Sequence, residues 1–166
     1  MAQLKGGALY KNKGNGEFDT VQDNTWRSTW DIILSGNFSG QFSPIDEIFY
    51  YDAEAGLIRI YQVDASGKLK APKTINNVSK KWDTIVSGSF RGQQKKELLF
   101  YKKNTGYYKF MELNSQGELY SFGDGRWKTG WDIILSFSYG GSYDCLAFYN
   151  KQTGNMKLFT TNGQGD

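Results

Sequence analysis

The side chains whose spacing could support acid–base chemistry are three aspartates, Asp31, Asp83 and Asp132, each directly after a tryptophan, Trp30, Trp82 and Trp131. Paired carboxylates are the equipment of glycoside hydrolysis, where one donates a proton and the other attacks the sugar or activates water. The chain contains no histidine. That removes the commonest general base, every Ser-His or Cys-His nucleophile pair and the usual zinc ligand. A carboxylate written three times in one setting serves the repeated structure before it serves a single active centre. These aspartates are therefore expected to cap turns or to bond the backbone of a neighbouring strand, and the sequence predicts a protein that is not an enzyme.

Binding chemistry is better supplied. Trp26-Arg27 and Trp127-Lys128 lie in polar text just ahead of Trp30 and Trp131, and Val78 holds the corresponding place ahead of Trp82. A core position needs a similar volume in every copy, so the exchange of Trp for Val points to a surface that varies. Ligand contact and loop packing both fit Trp26 and Trp127. Arg27 and Lys128 could bond hydroxyls or an anionic group, or stand as ordinary exposed charges. Tyr50, Tyr101 and Tyr149 follow Phe49, Phe100 and Phe148, so on a strand the two rings of each pair face opposite sides. These tyrosines are candidates for ligand contact, although packing is the reading that the alternation favours. Aromatic faces beside hydrogen-bonding side chains are what sugars require. Trp30, Trp82 and Trp131 each open a strand that is apolar on both faces, which predicts core positions in a central strand.

The elements that must carry these residues are repeated. Trp30-Asp31-Ile32-Ile33-Leu34-Ser35-Gly36-Asn37-Phe38-Ser39-Gly40 returns from Trp82 to Gly92 and again from Trp131 to Gly141, with the tryptophans 52 and 49 residues apart. A period of that size marks an architecture whose unit cannot bury its apolar face without neighbours. Each copy continues into an aromatic run (Ile48 to Tyr51, Leu98 to Tyr101, Leu146 to Tyr149), a glycine (Gly56, Gly106, Gly154), a third apolar run and a second glycine (Gly67, Gly117, Gly165). Short runs of this composition between Gly, Asn, Asp and Ser read as antiparallel strands joined by turns. Lys68 to Lys70 and Glu118 to Phe122 read as fourth strands, Gly123-Asp124-Gly125 as a turn, and residues 1–7 as a polar lead-in. The expectation is one all-β domain over 1–166, with three four-stranded antiparallel units of roughly 50 residues, approximately 26–77, 78–126 and 127–166. Residues 8–25 echo the later text and form a partial unit complementing the C-terminal one. They supply either second and third strands or third and fourth.

Composition sets outer bounds. A chain of 166 residues suffices for one domain with its own core. The net charge of +3 is too mild to indicate a nucleic-acid partner. Cys145 is the single cysteine, so no intrachain disulfide forms and the thiol is expected to be buried and inert. No run is long and apolar enough for a transmembrane helix, and the first residues lack a signal-peptide core. A soluble chain is expected, with secretion left open.

The pattern Trp-Asp-x-Ile-x-x-Gly-x-Phe-x-Gly, then Leu-Leu-Phe-Tyr, then a glycine, an aromatic strand and Gly-Gln-Gly resembles the FG-GAP and VCBS-like repeats of bacterial β-propellers. It is also similar to the repeats of tachylectin-2-type propeller lectins. The resemblance spans residues 8–166 and implies a β-propeller-like arrangement. Many FG-GAP blades carry a calcium loop after the Phe-x-Gly, but here Ser39 to Pro44, Arg91 to Lys96 and Gly140 to Asp144 offer at most one carboxylate each. Calcium needs six or more oxygen ligands, so no metal or other cofactor is expected. Three units cannot close a propeller. Two chains sharing a six-bladed ring, or a piece of a longer protein, would reconcile the number. A β-trefoil, which closes with three units, is the alternative fold. What the resemblance and the residues together imply is a carbohydrate-binding, lectin-like module with several weak sites, its partners glycans or glycoconjugates, in a homo-oligomer with a dimer favoured. The alternative is a non-enzymatic protein-interaction or self-assembling β scaffold. Neither nucleic acid nor membrane insertion is expected.

Overall fold

The computed structural model describes residues 4–40 and 45–165, and among them the chain is all-β, without a helix. Thirteen strands form four antiparallel sheets. The N-terminal hairpin pairs β1 (Leu4–Asn12) with β2 (Phe18–Arg27). The first sheet has the order β3 (Ile32–Gly36), β4 (Glu47–Asp52), β5 (Leu57–Tyr61) and β6 (Lys73–Ile75). The second runs β7 (Thr84–Gly88), β8 (Glu97–Tyr101), β9 (Tyr107–Leu113) and β10 (Leu119–Arg126). The third consists of β11 (Ile133–Ser138), β12 (Asp144–Tyr149) and β13 (Met156–Thr160).

The first three strands of the three sheets pair in the same register. Ile33 pairs with Tyr50, Ile85 with Phe100 and Ile134 with Phe148, and the third strands follow in step, with Arg59, Lys109 and Lys157 opposite the same three rings. The tight turn between second and third strands places Gly56 and Gly106 at φ 63° and 69°. A side chain there would also strike the backbone just beyond the fourth strand, since a Cβ on Gly106 would lie 2.0 Å from the Trp127 carbonyl oxygen and one on Gly56 2.4 Å from that of Val78. Only glycine meets both demands.

Sheets stack face to face, and their apolar faces build two cores. One lies between the first and second sheets (Phe49, Tyr51, Ile58 and Ile60 against Trp82, Ile85, Leu98 and Phe100). The other lies between the second and third (Leu99, Tyr101, Tyr108 and Phe110 against Trp131, Ile134, Leu146 and Phe148). The same polar contacts recur at both junctions. Ser87 Oγ donates to Ser35 O, and Ser136 Oγ to Ser87 O. Lys96 N donates to Asn37 O and Asp144 N to Ser89 O. The Tyr51 and Tyr101 hydroxyls donate to the carbonyls of Ser79 and Lys128, each at 2.9 Å.

Several expectations need correction. The Trp-Asp strands β3, β7 and β11 are edge strands of their sheets rather than central ones; apolar residues on both sides of a strand mark faces that other sheets can cover, as both neighbours cover β7, and say nothing of how many strands bond its edges. Residues 4–7 of the lead-in belong to β1, which begins at Leu4; the rest of it lies outside the described residues. In the first sheet, Lys68 to Lys70 contributes only a bridge between Leu69 and Val63, and the fourth strand lies later, at Lys73–Ile75. Gly123-Asp124-Gly125 is strand, not turn: β10 runs through it with a bulge between Ser121 and Gly123. The hairpin's turn matches those between third and fourth strands, since Lys13 N bonds Glu17 O as Asp64 N bonds Lys68 O and Asn114 N bonds Glu118 O. Of the two placements for the N-terminal piece, this turn resembles the one between third and fourth strands. Residues 41–44 of the first loop weighed for calcium lie outside the described residues.

Candidate binding clefts between the sheets

Where the end of one sheet's fourth strand meets the next sheet, the register brings together four kinds of side chain. A Trp-Asp tryptophan forms the floor, the aromatic of the second strand forms a wall, the cation of the third strand stands at the rim, and the residue four places before the tryptophan forms the lid. At the junction of the second and third sheets these are Trp131, Phe148, Lys157 and Trp127, and with Lys128, Phe159 and Thr160 they line a cavity of about 280 Å³. At the junction of the first and second sheets the equivalent positions, Trp82, Phe100, Lys109 and Val78, line one of about 230 Å³. In the first sheet the same recipe appears as Trp30, Tyr50, Arg59 and Trp26, and there the lid has closed. Trp26 stacks on Tyr50 with ring centres 5.6 Å apart and an interplanar angle of 21°. Beneath it Trp30 Nε1 and Arg59 Nε are buried donors without an acceptor.

The aromatic geometry holds the open cleft in shape. Trp127 stacks on Tyr108 at 3.9 Å and 18°, and meets Phe148 edge-on at 5.0 Å. Trp131 is held edge-on to Phe148 at 5.5 Å. Pre-set rings of this kind lose little freedom when a ligand arrives. Lys128 and Lys157 are exposed at its rim, and no carboxylate is among its lining residues.

Of the residues singled out from sequence, Trp127 and Lys128 line this cleft. Trp26 and Arg27 stand at the corresponding closed position, where Arg27 Nη2 bonds Asp52 Oδ2 at 2.8 Å and its guanidinium lies 5.4 Å from the Trp30 ring centre. Asp52 carries opposed influences: burial raises its pKa, but bonds from Thr29 and the Ala55 backbone, with Arg27, outweigh this and hold it below the ordinary value. The tyrosines do not come to the clefts as a set. Tyr101 is fully buried with its hydroxyl committed to the Lys128 carbonyl, and it packs the junction. Tyr50 is buried among Trp26, Trp30 and Tyr61, and burial, then Tyr61, raises its pKa. Tyr149 is partly exposed but lies on the opposite face of its sheet from Phe148.

Sequence reasoning passed over Phe159 and the third-strand cations Arg59, Lys109 and Lys157. The signal was present: each third run has one basic residue between apolar ones, as in Ile58-Arg59-Ile60, Tyr108-Lys109-Phe110 and Met156-Lys157-Leu158. The aspartates have one shared job. Asp31, Asp83 and Asp132 each accept the backbone N–H that opens the turn after the second strand, from Ala53, Lys103 and Lys151, at 2.7 to 2.8 Å. Among the described residues no group of three metal-ligating side chains occurs. No protein-family model matches the chain, and no curated protein matches it significantly.

Proposed function

We propose that the protein is a carbohydrate-binding, lectin-like module, and that its ligands seat in the clefts between successive sheets of a propeller-like array of repeated units. The observation that carries this reading is the recurrence of one cavity at one register position, open between the second and third sheets and again between the first and second. An aromatic floor and wall match the C–H face of a pyranose, and the rim supplies donors for hydroxyls. A cation stands at every copy of the cleft, Arg59, Lys109 and Lys157, with Lys128 beside the last. That charge favours sugars bearing a carboxylate or sulfate. Two clefts on one body raise the avidity for a multivalent glycan well beyond that of either alone.

The test is a glycan array containing neutral and acidic sugars, followed by calorimetric titration of the best hit. Trp127→Ala is expected to weaken binding about tenfold, the loss of one ring contact worth roughly 1.4 kcal/mol. Lys157→Ala is expected to weaken acidic sugars and spare neutral ones. An array without retained glycans, or a hit indifferent to Trp127, overturns the reading.

A further inference from the structure

The third sheet carries an apolar face that its neighbours keep covered. Ile133, Leu135, Tyr139, Tyr149, Met156 and Leu158 all lie on it, with exposures from 37% at Tyr149 to 80% at Tyr139. Most residues at the matching positions are core. Phe38 and Phe90, which match Tyr139, are 0% and 1% exposed, and Ile60 and Phe110, which match Leu158, are 4% and 0%, against 59% for Leu158 itself. What buries them is the opposite face of the following sheet, presented by Trp82, Ile85, Leu98 and Phe100 or by Trp131, Ile134, Leu146 and Phe148.

The first sheet owns that same covering set, at the same register positions, in Trp30, Ile33, Ile48 and Tyr50. It too is incompletely used. Ile33 is 57% exposed, whereas its equivalents Ile85 and Ile134 are 4% and 6%. The molecule thus displays the two unmatched halves of a contact that it makes twice internally.

We infer that a second copy of this chain docks head to tail, its first sheet covering the third sheet of the first copy. The polar contacts continue the internal series. Ser35 Oγ of the incoming copy reaches Ser136 O as Ser87 and Ser136 reach their neighbours, its Asp46 N reaches Ser138 O as Lys96 N and Asp144 N reach theirs, and Tyr149 donates to its Arg27 carbonyl as Tyr51 and Tyr101 donate to Ser79 and Lys128. β1 and β13 hold equivalent places in the repeat, so β13 takes the place of β1 beside the incoming β2. It thereby gains the fourth strand that β5 and β9 already have in β6 and β10. Two features oppose docking: β1 must leave its ladder with β2 for β13 to take its place, and Asp46 falls near Asp144, whose charge is already met by Lys96 at 3.0 Å. The two faces differ, so the association is heterologous and either closes on itself or extends as a string. It uses the face of the third sheet opposite to the cleft of Trp131 and Phe148, and it stands or falls independently of sugar binding.

Light scattering coupled to size exclusion, and sedimentation over a concentration series, test this on the full chain. A mass of about twice 18.8 kDa, or one that climbs with concentration, is expected. Leu158→Lys on one face and Ile33→Glu on the other are exposed changes that circular dichroism should show to leave the fold intact. Each is expected to weaken self-association by on the order of tenfold or more. Mixing the two variants restores a one-to-one pair, because one intact junction survives, and this rescue is specific to a head-to-tail contact. Asp46→Lys, which supplies the charge that Lys96 brings to the internal junction, should tighten it. A wild-type chain that stays monomeric at the highest concentration, a dimer unaffected by either variant, or a mixture without rescue overturns the inference.

Discussion

At the level of single residues, the buried carboxylates hold the loops. Glu47 accepts the backbone N–H groups of Phe38 and Ser39, and Glu97 those of Phe90 and Arg91, so each pins the loop that delivers a phenylalanine into a core. Glu97 Oε1 is left buried without a partner. Burial therefore raises the Glu97 pKa above its ordinary 4.5, with the Phe90 and Arg91 bonds opposing and Glu112 reinforcing. A carboxyl whose folded value is raised keeps its proton when the unfolded chain has already released it, so stability falls as pH climbs from 4.5 towards the folded value. Asp144 has the opposite sign. Burial raises its pKa too, but the Ser89 N–H and Lys96 prevail and lower it, so its contribution is present above 3.8 and is lost as pH falls through the depressed value. Glu97→Gln is expected to remove only the first of these slopes. Urea midpoints taken across the weakly acidic range should decline with rising pH in the wild type relative to the variant, and parallel curves would show that Glu97 does not titrate with folding.

At the level of elements, the turns do as much as the strands. Gly154 shares the left-handed φ of Gly106, 69° in both, but a Cβ on Gly154 meets nothing within 4 Å, whereas on Gly106 it collides with the Trp127 carbonyl. Gly154→Ala should therefore cost only the conformational strain, about 1–2 kcal/mol. Gly106→Ala must in addition push β10's end away from the second sheet, so a clearly larger loss in chemical denaturation is expected, and equal losses would refute the close approach. This contrast also explains what could be read in advance. Strands β3 to β5 and their counterparts were legible because alternation and recurring glycines both mark them. The fourth strands were not: Lys73–Ile75 is short and partly polar, and Gly123 and Gly125 resemble a turn. Their small size is needed because Gly165 Cα and the Tyr108 hydroxyl would lie 2.9 and 2.8 Å from a Cβ at those positions. At the cleft, the exchange of Trp127 for Val78 was visible in the text. The burial of Tyr101 was not, since alternation separates two faces of a strand without saying which one the next sheet covers.

At the level of the whole molecule, stability should be graded along the stack. In an array where each sheet touches only its neighbours, the free energy is close to a sum of sheet terms and junction terms. The second sheet shares in both cores, and all five residues of β8 are buried. The third sheet has one junction, and every residue of its outer strand β13 is exposed. The hairpin meets the first sheet mainly at the end of β2, where Arg27 pairs with Asp52 and Trp26 packs on Tyr50 and Tyr61, and it meets the loop beyond β5 through the Leu69 N–H bond to Gln22. Local opening should follow this order, since regions with few buried contacts open at low free energy and the centre opens only with global unfolding. In native-state hydrogen exchange on dilute protein, the amides of β8 and β9 that bond within the sheet should be the most protected. Those of β12 and β13 should exchange faster, and those of β1 fastest. Raising the protein concentration should then slow β11 to β13 selectively, because a docked copy adds the junction that this sheet lacks. Uniform protection along the chain would mean that the sheets fold as one cooperative block, and the additive account of their stability would have to be given up.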